Sequence, residues 1–262
     1  MITAKRAAAA GGAALLAWRG RFSVREKGPA DFVTDADVAS QEAIQQVIND
    51  AFPNHAFYGE EGSDGSVRPD PNKICWVCDP LDGTTNYLHD FPCYAVSVGV
   101  VLGQELLAGA IFDPLRDEMF ATGKGQGSWV DDTPIKTADC SQLSDALVAL
   151  SLPAGVSLES PDVNDLMQII DRCQAIRRTG SAALNLAYVA CGRLNAHWAR
   201  QICPWDVAAG VLLVDEAGGV VSSAAGGEFN VWEADFLVAG SPQLHAEMAT
   251  VLSGSSLGKE GL

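Results

Sequence analysis

Basic residues are scarce in this sequence, and their scarcity narrows the range of possible partners. The 262 residues include 17 Lys and Arg against 33 Asp and Glu, which gives a formal net charge of −16 at pH 7. Binding to nucleic acid or to an anionic membrane needs a basic face that neutralises phosphate groups. The composition therefore argues against both nucleic acid and membrane as partners.

Long apolar runs are also missing. No stretch of about 18 apolar residues is free of charges, so the sequence predicts no transmembrane helix. Lys5 and Arg6 precede an apolar segment at residues 7–18 that loosely resembles a signal peptide. This segment is rich in Ala and Gly rather than Leu, and Arg19 and Arg21 follow it directly. We therefore predict an ordinary first helix.

The sequence has little of the side-chain chemistry that nucleophilic and redox enzymes use. Its histidines lack an evident Ser or Cys partner, so we interpret them as structural or surface residues. They are His55, His89, His197 and His245. The cysteines number seven, and Cys75-x-x-Cys78 has no second pair at ligand spacing. In a strand these two side chains point to opposite faces, so we expect buried, reduced thiols and a cytoplasmic location.

The hydrophobic patterning predicts two lobes. In the first half, residues 35–51 form a predicted helix, residues 25–31 a polar loop, and residues 94–101 and 106–113 a hairpin around Gly103. After a polar stretch at 153–165, helices and strands alternate, including predicted helices at 163–173 and 207–217. We predict an N-terminal α+β lobe over residues 1–152 and a C-terminal α/β lobe over residues 153–262.

Acidic side chains concentrate after a short β-type run at residues 74–78. Asp79 enters a turn kinked by Pro80, and Asp82 follows three residues later. Two carboxylates on one turn repel each other unless a cation lies between them, and oxygen-only ligands suit Mg²⁺. If a helix begins after Gly83, its free N–H groups also offer an anion site. The alternative is an acidic surface turn whose Asp caps a helix.

Three further acidic positions have ordinary structural alternatives. The pair Glu60 and Glu61 could serve solubility alone. Asp206 precedes the helix predicted at 207–217, where an Asp is a common N-cap. Asp37 lies beside Thr34 and allows the same interpretation.

Together these motifs resemble the inositol monophosphatase family of Mg²⁺-dependent, lithium-sensitive phosphatases, and the resemblance extends over nearly the whole chain. It implies a layered αβαβα sandwich and a homodimer. The segments that carry it are Val33-Thr34-Asp35-Ala36-Asp37, Glu60-Glu61, Asp79-Pro80-Leu81-Asp82-Gly83-Thr84-Thr85-Asn86, Gly180-Ser181-Ala182, Trp205-Asp206-Val207-Ala208-Ala209-Gly210 and Gly240-Ser241-Pro242.

The resemblance also implies a role for individual residues. Glu60, Asp79 and the carbonyl of Leu81 would hold one Mg²⁺, and Asp79, Asp82 and Asp206 a second. A third, weaker ion would lie near Glu60 and, through water, Asp37. The residues implied in the remaining roles are Thr84 and Asp37 for the attacking water, Gly83 and Thr84 for the phosphate, Gly180, Ser181, Ala182 and Asp206 for the substrate, and Lys27 for a loop over the metals.

One departure from the family pattern limits the prediction of the substrate. Inositol-specific members carry a Glu that binds inositol hydroxyls, and Ala199 stands at that position. Arg200 follows it and could contact an anionic group, although a surface Arg is the alternative. We predict hydrolysis of a small polyol or sugar phosphate. The alternatives are a fructose bisphosphatase, a histidinol-phosphate or nucleotide phosphatase, and a regulatory protein-binding role.

Overall fold

The structure, a computed structural model, describes residues 1–28, 31–62, 67–153, 155–200 and 202–254, with the backbone alone at 26–28 and 31. The elements in chain order are α1 Ile2–Trp18, β1 Val24–Gly28, β2 Asp31–Thr34, α2 Asp35–Ala51, β3 Ala56–Gly59, β4 Ile74–Asp82, α3 Thr84–Leu88, β5 Ala95–Leu102, β6 Glu105–Asp113, β7 Glu118–Gly123, β8 Ser128–Val130, β9 Thr133–Ile135, β10 Leu147–Ser151, α4 Pro161–Ile169, β11 Ala175–Arg177, α5 Ala182–Ala190, β12 Ala196–Ala199, α6 Pro204–Glu216, β13 Val220–Ser222, β14 Phe236–Ala239 and α7 Pro242–Gly254.

Two sheets and three layers of helices form the predicted αβαβα sandwich. The first sheet has the order β3-β4-β5-β6-β7-β8-β9 and the second the order β11-β10-β12-β14-β13. Helices α1 and α2 cover the outer face of the first sheet, and α5 and α6 lie between the sheets. Helices α4 and α7 cover the outer face of the second sheet. Each sheet therefore buries both of its faces, which explains its strongly apolar strands.

Helix α6 of the middle layer packs closely on the first sheet at two glycines. Gly99 of β5 and Gly109 of β6 are cross-strand partners, and neither has a side chain to hold α6 away. A Cβ atom at Gly99 would lie 2.6 Å from the Cβ of Ala208, and one at Gly109 would lie 2.7 Å from the Cα of Ala209. This glycine seat allows the backbone of α6 to approach the sheet directly. The distance between α6 and the first sheet also determines where the first turn of α6 lies relative to that sheet.

The apolar N-terminal segment forms the predicted helix and packs closely. In α1, Gly11 faces α2, where a Cβ would lie 2.8 Å from the Oγ of Ser40. Gly12 faces the first sheet, where a Cβ would lie 2.4 Å from the ring of Phe112. Its Ala and Gly content is thus explained by close helix packing. Among the described helices, none is long and apolar enough to cross a membrane.

Several local predictions are confirmed. Helix α2 has the predicted bounds, and β5 and β6 form the predicted hairpin. All seven cysteines are free thiols, but only Cys75, Cys78 and Cys93 are buried as predicted, and the other four are partly exposed. Cys75 and Cys78 face opposite sides of the first sheet. The side chain of Cys75 packs against the middle layer, and that of Cys78 packs against the layer formed by α1 and α2.

Other local predictions are wrong. The predicted polar loop at 25–31 contains strands, since β1 pairs with β2 in an antiparallel ladder from Val24↔Thr34 onward. The predicted helix at 163–173 is α4, which ends at Ile169. Strand β10 precedes the predicted lobe boundary at 152/153 yet pairs with β11 and β12 of the second sheet. The division into two lobes stays a prediction.

His197 of β12 lies in the core. The residue is fully buried, its Nε2 lies 3.1 Å from the Oγ of Ser151, and its ring packs edge-on against Phe236 with centroids 4.8 Å apart. Its Nδ1 atom has no hydrogen-bond partner among the described residues. Burial lowers the pKa of His197 to about 3. The folded protein therefore keeps this ring neutral near neutral pH.

We expect His197 to make the fold less stable in mild acid. The pKa of His197 in the folded protein lies below the value of about 6.5 in the unfolded chain. Below about pH 6.5 the unfolded chain therefore binds a proton that the folded protein does not bind. The free energy of unfolding decreases as the pH falls through this range. Between pH 7 and pH 5 this amounts to about 2 kcal/mol. The measurement is urea unfolding of the wild type and His197→Phe at both pH values. Equal pH dependence in the two proteins would contradict the assignment.

Candidate active site

The end of β4 places two carboxylates together. The ladder between β4 and β5 is irregular between Asp79, which pairs with Ser97, and Asp82, which pairs with Ala95. The sequence predicted that the strand stops at Asp79, but it continues through this bulge to Asp82. Within the bulge, the Oδ1 of Asp79 accepts a hydrogen bond of 2.8 Å from the N–H of Leu81.

Asp206 approaches the same place from the middle layer. Helix α6 begins at Pro204, earlier than predicted, and Asp206 is its third residue rather than its N-cap. The Oδ2 of Asp206 accepts a hydrogen bond of 2.9 Å from the N–H of Cys203. One oxygen each of Asp79, Asp82 and Asp206 lies within 4.8 Å of the others. We call these three residues the carboxylate cluster.

The electrostatics of the carboxylate cluster are unfavourable without a cation. Burial, followed by the charges of Glu60, Asp206 and Asp82, raises the pKa of Asp79 well above its ordinary value. Burial also raises the pKa of Asp82 to about 6, against opposing hydrogen bonds from Ser181 and the N-terminal N–H groups of α5. Burial and the charges of Asp82 and Glu60 raise the pKa of Asp206 to about 8. An all-oxygen donor set with this much repulsion fits a hard cation such as Mg²⁺.

Glu60 and Leu81 lie at the margin of the cluster. The N–H of Glu60, directly after β3, donates to the carbonyl of Cys78 at 3.1 Å. The negative charge of Glu60 contributes to the raised pKa values of Asp79 and Asp206. The carbonyl of Leu81 accepts a hydrogen bond of 3.2 Å from the Thr84 hydroxyl.

Asp37 combines the capping role with a contact to the candidate site. Thr34 is the N-cap of α2, and the Oδ2 of Asp37 accepts a hydrogen bond of 2.8 Å from the N–H of Thr34. The Oδ1 of Asp37 accepts one of 3.2 Å from the hydroxyl of Thr84. Burial raises the pKa of Asp37 to about 6, and the hydrogen bonds from Thr34 oppose this shift. The capping alternative and the functional hypothesis are thus compatible, because they use different oxygens.

The turn between β4 and α3 depends on glycine. Gly83 has a φ of +106°, and a Cβ there would lie 3.0 Å from the carbonyl oxygen of Cys93. Asn86, which sequence reasoning left without a role, donates from its Nδ2 to the carbonyls of Cys93 at 2.6 Å and Thr179 at 2.8 Å. Asn86 therefore ties the first-sheet turn to the segment before α5. No sequence signal links these distant positions.

Residues 181 and 182 contact the carboxylate cluster directly. Ser181 is the N-cap of α5, and its Oγ donates to the Oδ2 of Asp82 at 2.5 Å. The N–H groups of Ala182 and Ala183 also donate to Asp82, at 3.2 Å and 2.7 Å. Gly180 precedes them and packs near Asn86. The predicted contact of Gly180, Ser181 and Ala182 with the substrate alcohol stays a prediction.

The remaining predicted positions have different outcomes. The side chain of Lys27 lies outside the described residues. The Nε of Arg200 donates to the Oδ2 of Asp165 at 2.6 Å, and Asp165 is almost fully buried. Arg200 is therefore an ion-paired residue rather than a freely solvated one. Ala199 is the last residue of β12 and is fully buried, packed against the middle layer.

The chain is similar to known proteins over most of its length. The model of the inositol monophosphatase family matches residues 1–256. The chain is 36% identical to an inositol-1-monophosphatase of Rhizobium meliloti over 232 residues, 88% of this chain and 86% of the relative. It is 36% identical to the Nus factor SuhB of Escherichia coli strain K12 over 84% of this chain and 81% of that protein.

A solved structure shows the same similarity in the fold. The extragenic suppressor protein suhB of Bartonella henselae superposes with a TM-score of 0.89 at 32% identity, over 100% of this chain and 99% of that one. Family model, sequence relatives and fold agree over nearly the full length of the chain. The chain therefore belongs to the inositol monophosphatase family, whose members are phosphatases of phosphorylated polyols.

Proposed function

We propose that this protein is a Mg²⁺-dependent, lithium-sensitive phosphomonoesterase that hydrolyses a small polyol or sugar phosphate to an alcohol and phosphate. The observation that carries the proposal is the carboxylate cluster, in which three carboxylates from β4 and α6 approach within 4.8 Å. Such a concentration of negative charge has little structural value unless a cation binds there. Family resemblance also suggests a homodimer.

The proposed ligands belong to two overlapping sets. Glu60, Asp79 and the carbonyl of Leu81 would hold one ion, and Asp79, Asp82 and Asp206 a second. A third, weaker ion would lie near Glu60 and, through water, Asp37. When bound, Mg²⁺ supplies positive charge for the phosphoryl oxygens and lowers the pKa of a coordinated water. The chain's own task is to hold these carboxylates in place for an in-line displacement.

The negative net charge supports the proposal that metal ions take part in binding the substrate. At −16, the chain repels an anionic substrate at long range, and the cluster repels it most strongly nearby. Divalent cations reverse the local sign of charge. We therefore propose that the protein binds phosphate esters only as a metal complex, with backbone N–H groups of Gly83 and Thr84 and the side chain of Asp206 facing the substrate.

Thr84 is the proposed residue that orients the attacking water. Its hydroxyl lies 3.2 Å from both the Oδ1 of Asp37 and the carbonyl oxygen of Leu81, and it has one proton to donate. With that proton directed to Asp37, the Thr84 oxygen can accept a hydrogen bond from water. Asp37 would then receive the water proton through the Thr84 hydroxyl.

We expect Thr84→Ala to lower kcat by about a hundredfold, because it removes the hydroxyl between water and Asp37. Thr84→Ser keeps this hydroxyl and is the matched control, which should retain most of the activity. Steady-state phosphate release measures both variants. Equal activity of the Ala and Ser variants would remove Thr84 from the proton path.

The substrate is the less constrained part of the proposal. Ala199 replaces the Glu that binds inositol hydroxyls in the family, so inositol 1-phosphate need not be preferred. The next residue, Arg200, carries a guanidinium group that is held in place by its ion pair with Asp165. Contact of Arg200 with a second anionic group of the substrate, and closure of the Lys27 loop, remain predictions.

A substrate panel tests the proposed function directly. Phosphate release is measured from inositol 1-phosphate, fructose 1,6-bisphosphate, histidinol phosphate and a nucleoside 3′-phosphate. We expect turnover of at least one with Mg²⁺, its loss after chelation by EDTA, and its recovery when Mg²⁺ is restored. Absence of turnover for every ester with Mg²⁺ or Mn²⁺ would contradict an enzymatic role.

A second candidate is a regulatory role through protein binding. The observation in its favour is the name Nus factor SuhB, which relatives in Escherichia coli and Pseudomonas aeruginosa carry. The complete carboxylate cluster favours catalysis, because a binding role alone would not require it. The panel separates the two, since a purely regulatory protein would bind its partner and release no phosphate.

A further inference from the structure

The carboxylate of Asp82 is enclosed by the N-terminus of a helix from the other half of the chain. Its Oδ2 accepts hydrogen bonds from the Ser181 hydroxyl at 2.5 Å and from the N–H of Ala183 at 2.7 Å. Within the described part of the chain, its Oδ1 accepts one bond, of 3.2 Å, from the N–H of Ala182. Oδ1 is thus the oxygen with more of its acceptor capacity left for a cation.

Ser181 makes this contact in addition to its capping role. The Ser181 oxygen accepts a hydrogen bond of 3.2 Å from the N–H of Leu184, while its proton goes to Asp82. Ser181 and Asp82 together therefore satisfy three of the free N–H groups that begin α5. If the Asp82 side chain rotated, buried donors at Ser181 and Ala183 would lose their partner, which is costly. The orientation of Asp82 is therefore coupled to α5.

We propose that Ser181 is a positioning residue that holds Asp82 with its Oδ1 turned toward Asp79 and Asp206, so that the carboxylate cluster is formed before a cation arrives. This inference rests on the proposed function, because it assumes that the cluster binds metal. Hydrogen bonds to ligating carboxylates commonly change metal affinity by about tenfold to a hundredfold. Ser181 is assigned no direct contact with the metal.

The chain contains a matched control for the capping role. Ser241 precedes α7, and its oxygen accepts a hydrogen bond of 3.2 Å from the N–H of Leu244. Its hydroxyl donates at 2.5 Å to the carbonyl of Cys140 rather than to a carboxylate. Both serines are buried. Ser181→Ala and Ser241→Ala therefore remove the same kind of cap, and only the first removes a bond to the cluster.

The test is calorimetric titration of the whole protein with Mn²⁺ in the absence of substrate, combined with urea unfolding of the metal-free proteins. We expect Ser181→Ala to bind Mn²⁺ about tenfold to a hundredfold more weakly than the wild type at one site. Ser181→Thr keeps the hydroxyl and should restore the affinity. Ser241→Ala should lower the urea midpoint about as much as Ser181→Ala and bind Mn²⁺ like the wild type.

The possible results separate this inference from the proposed function. Wild-type affinity in Ser181→Ala, or an equal loss of affinity in Ser241→Ala, would overturn the positioning role alone. A wild type that binds no Mn²⁺ would overturn both proposals. A wild type that binds Mn²⁺ but hydrolyses no ester would contradict the proposed function, and a weaker affinity confined to Ser181→Ala would still support the positioning role.

Discussion

Replacing Asp206 by Asn is expected to lower kcat/KM by about a thousandfold or more without unfolding the protein. The change removes one negative charge from the carboxylate cluster, in which oxygens of Asp79, Asp82 and Asp206 lie within 4.8 Å. A metal ion contributes several kcal/mol of transition-state stabilisation, and every 1.4 kcal/mol lost costs about a factor of ten in rate. Loss of one ion is therefore enough for the expected effect.

The fold should tolerate this substitution for a specific reason. The Oδ2 of Asp206 accepts the N–H of Cys203 at 2.9 Å, and the amide oxygen of Asn can accept the same bond. The substitution also relieves repulsion from Asp82 and Glu60, which contributes to the raised pKa of Asp206. We therefore expect the metal-free variant to have a Tm equal to or above that of the wild type. The rise in Tm with Mg²⁺ should be lost.

A matched control lies on the same helix. Asp215 is near the C-terminal end of α6 and is exposed, so Asp215→Asn makes the same charge change away from the cluster. It should keep both the activity and the response of Tm to Mg²⁺. If Asp206→Asn retained wild-type turnover, the proposed metal set would be wrong. If Asp206→Asn unfolded the metal-free protein, the main role of Asp206 would be to stabilise the fold.

The local part of the site is predictable from the sequence. Asp79 and Asp82 are three residues apart at a turn kinked by Pro80, which predicts that their carboxylates lie close together. On a regular strand the same spacing would point them to opposite faces, so the bulge between them is what allows their approach. The contact between Thr84 and Asp37 is different. It joins residues 47 positions apart, and only the family resemblance anticipated it. The sequence is equally consistent with Asp37 as a capping residue, and in the structure Asp37 caps with its Oδ2 while its Oδ1 accepts a hydrogen bond from Thr84.

The contacts that support the site could not be predicted. Ser181 and Asp82 are 99 residues apart, and Asn86 and Thr179 are 93 residues apart. The local sequence around these residues does not predict such contacts, because Ser181 has an ordinary role as a helix N-cap and Asn86 is a single polar residue within the short helix α3. Strands β1 and β2 were missed for a related reason, since a polar segment forms a strand here only through its partner.

The glycine seat beneath α6 shows how the fold determines the geometry of the site. Two small residues of α6, Ala208 and Ala209, rest on Gly99 and Gly109, and Gly210 faces α5, where a Cβ would lie 2.5 Å from the Cβ of Leu186. The run Val207-Ala208-Ala209-Gly210 directly follows Asp206. The segment therefore contains the proposed ligand Asp206 and the small residues that let its helix approach the sheet. Its length reflects packing as much as chemistry.

Gly109→Val is expected to lower the free energy of unfolding by about 3 kcal/mol. A Cβ at this position lies 2.7 Å from the Cα and 3.0 Å from the carbonyl oxygen of Ala209, so the obstacle is backbone that cannot rotate away. Relief requires α6 to move off the sheet, which would carry Asp206 away from Asp79 and Asp82. We therefore expect weaker Mn²⁺ binding together with the loss of stability. Urea unfolding and calorimetric titration measure the two effects.

The control for this prediction is Gly123→Val on β7 of the same sheet. There the three atoms nearest to a new Cβ all belong to the end of the flexible Gln126 side chain, the closest at 3.0 Å, so a small rotation of that side chain relieves the contact. We expect Gly123→Val to lose much less stability than Gly109→Val and to bind Mn²⁺ like the wild type. A Gly109→Val variant that matched this control in both measurements would show that α6 does not depend on the glycine seat. Lost stability with unchanged Mn²⁺ affinity would instead show that the seat supports the fold but does not set the position of Asp206.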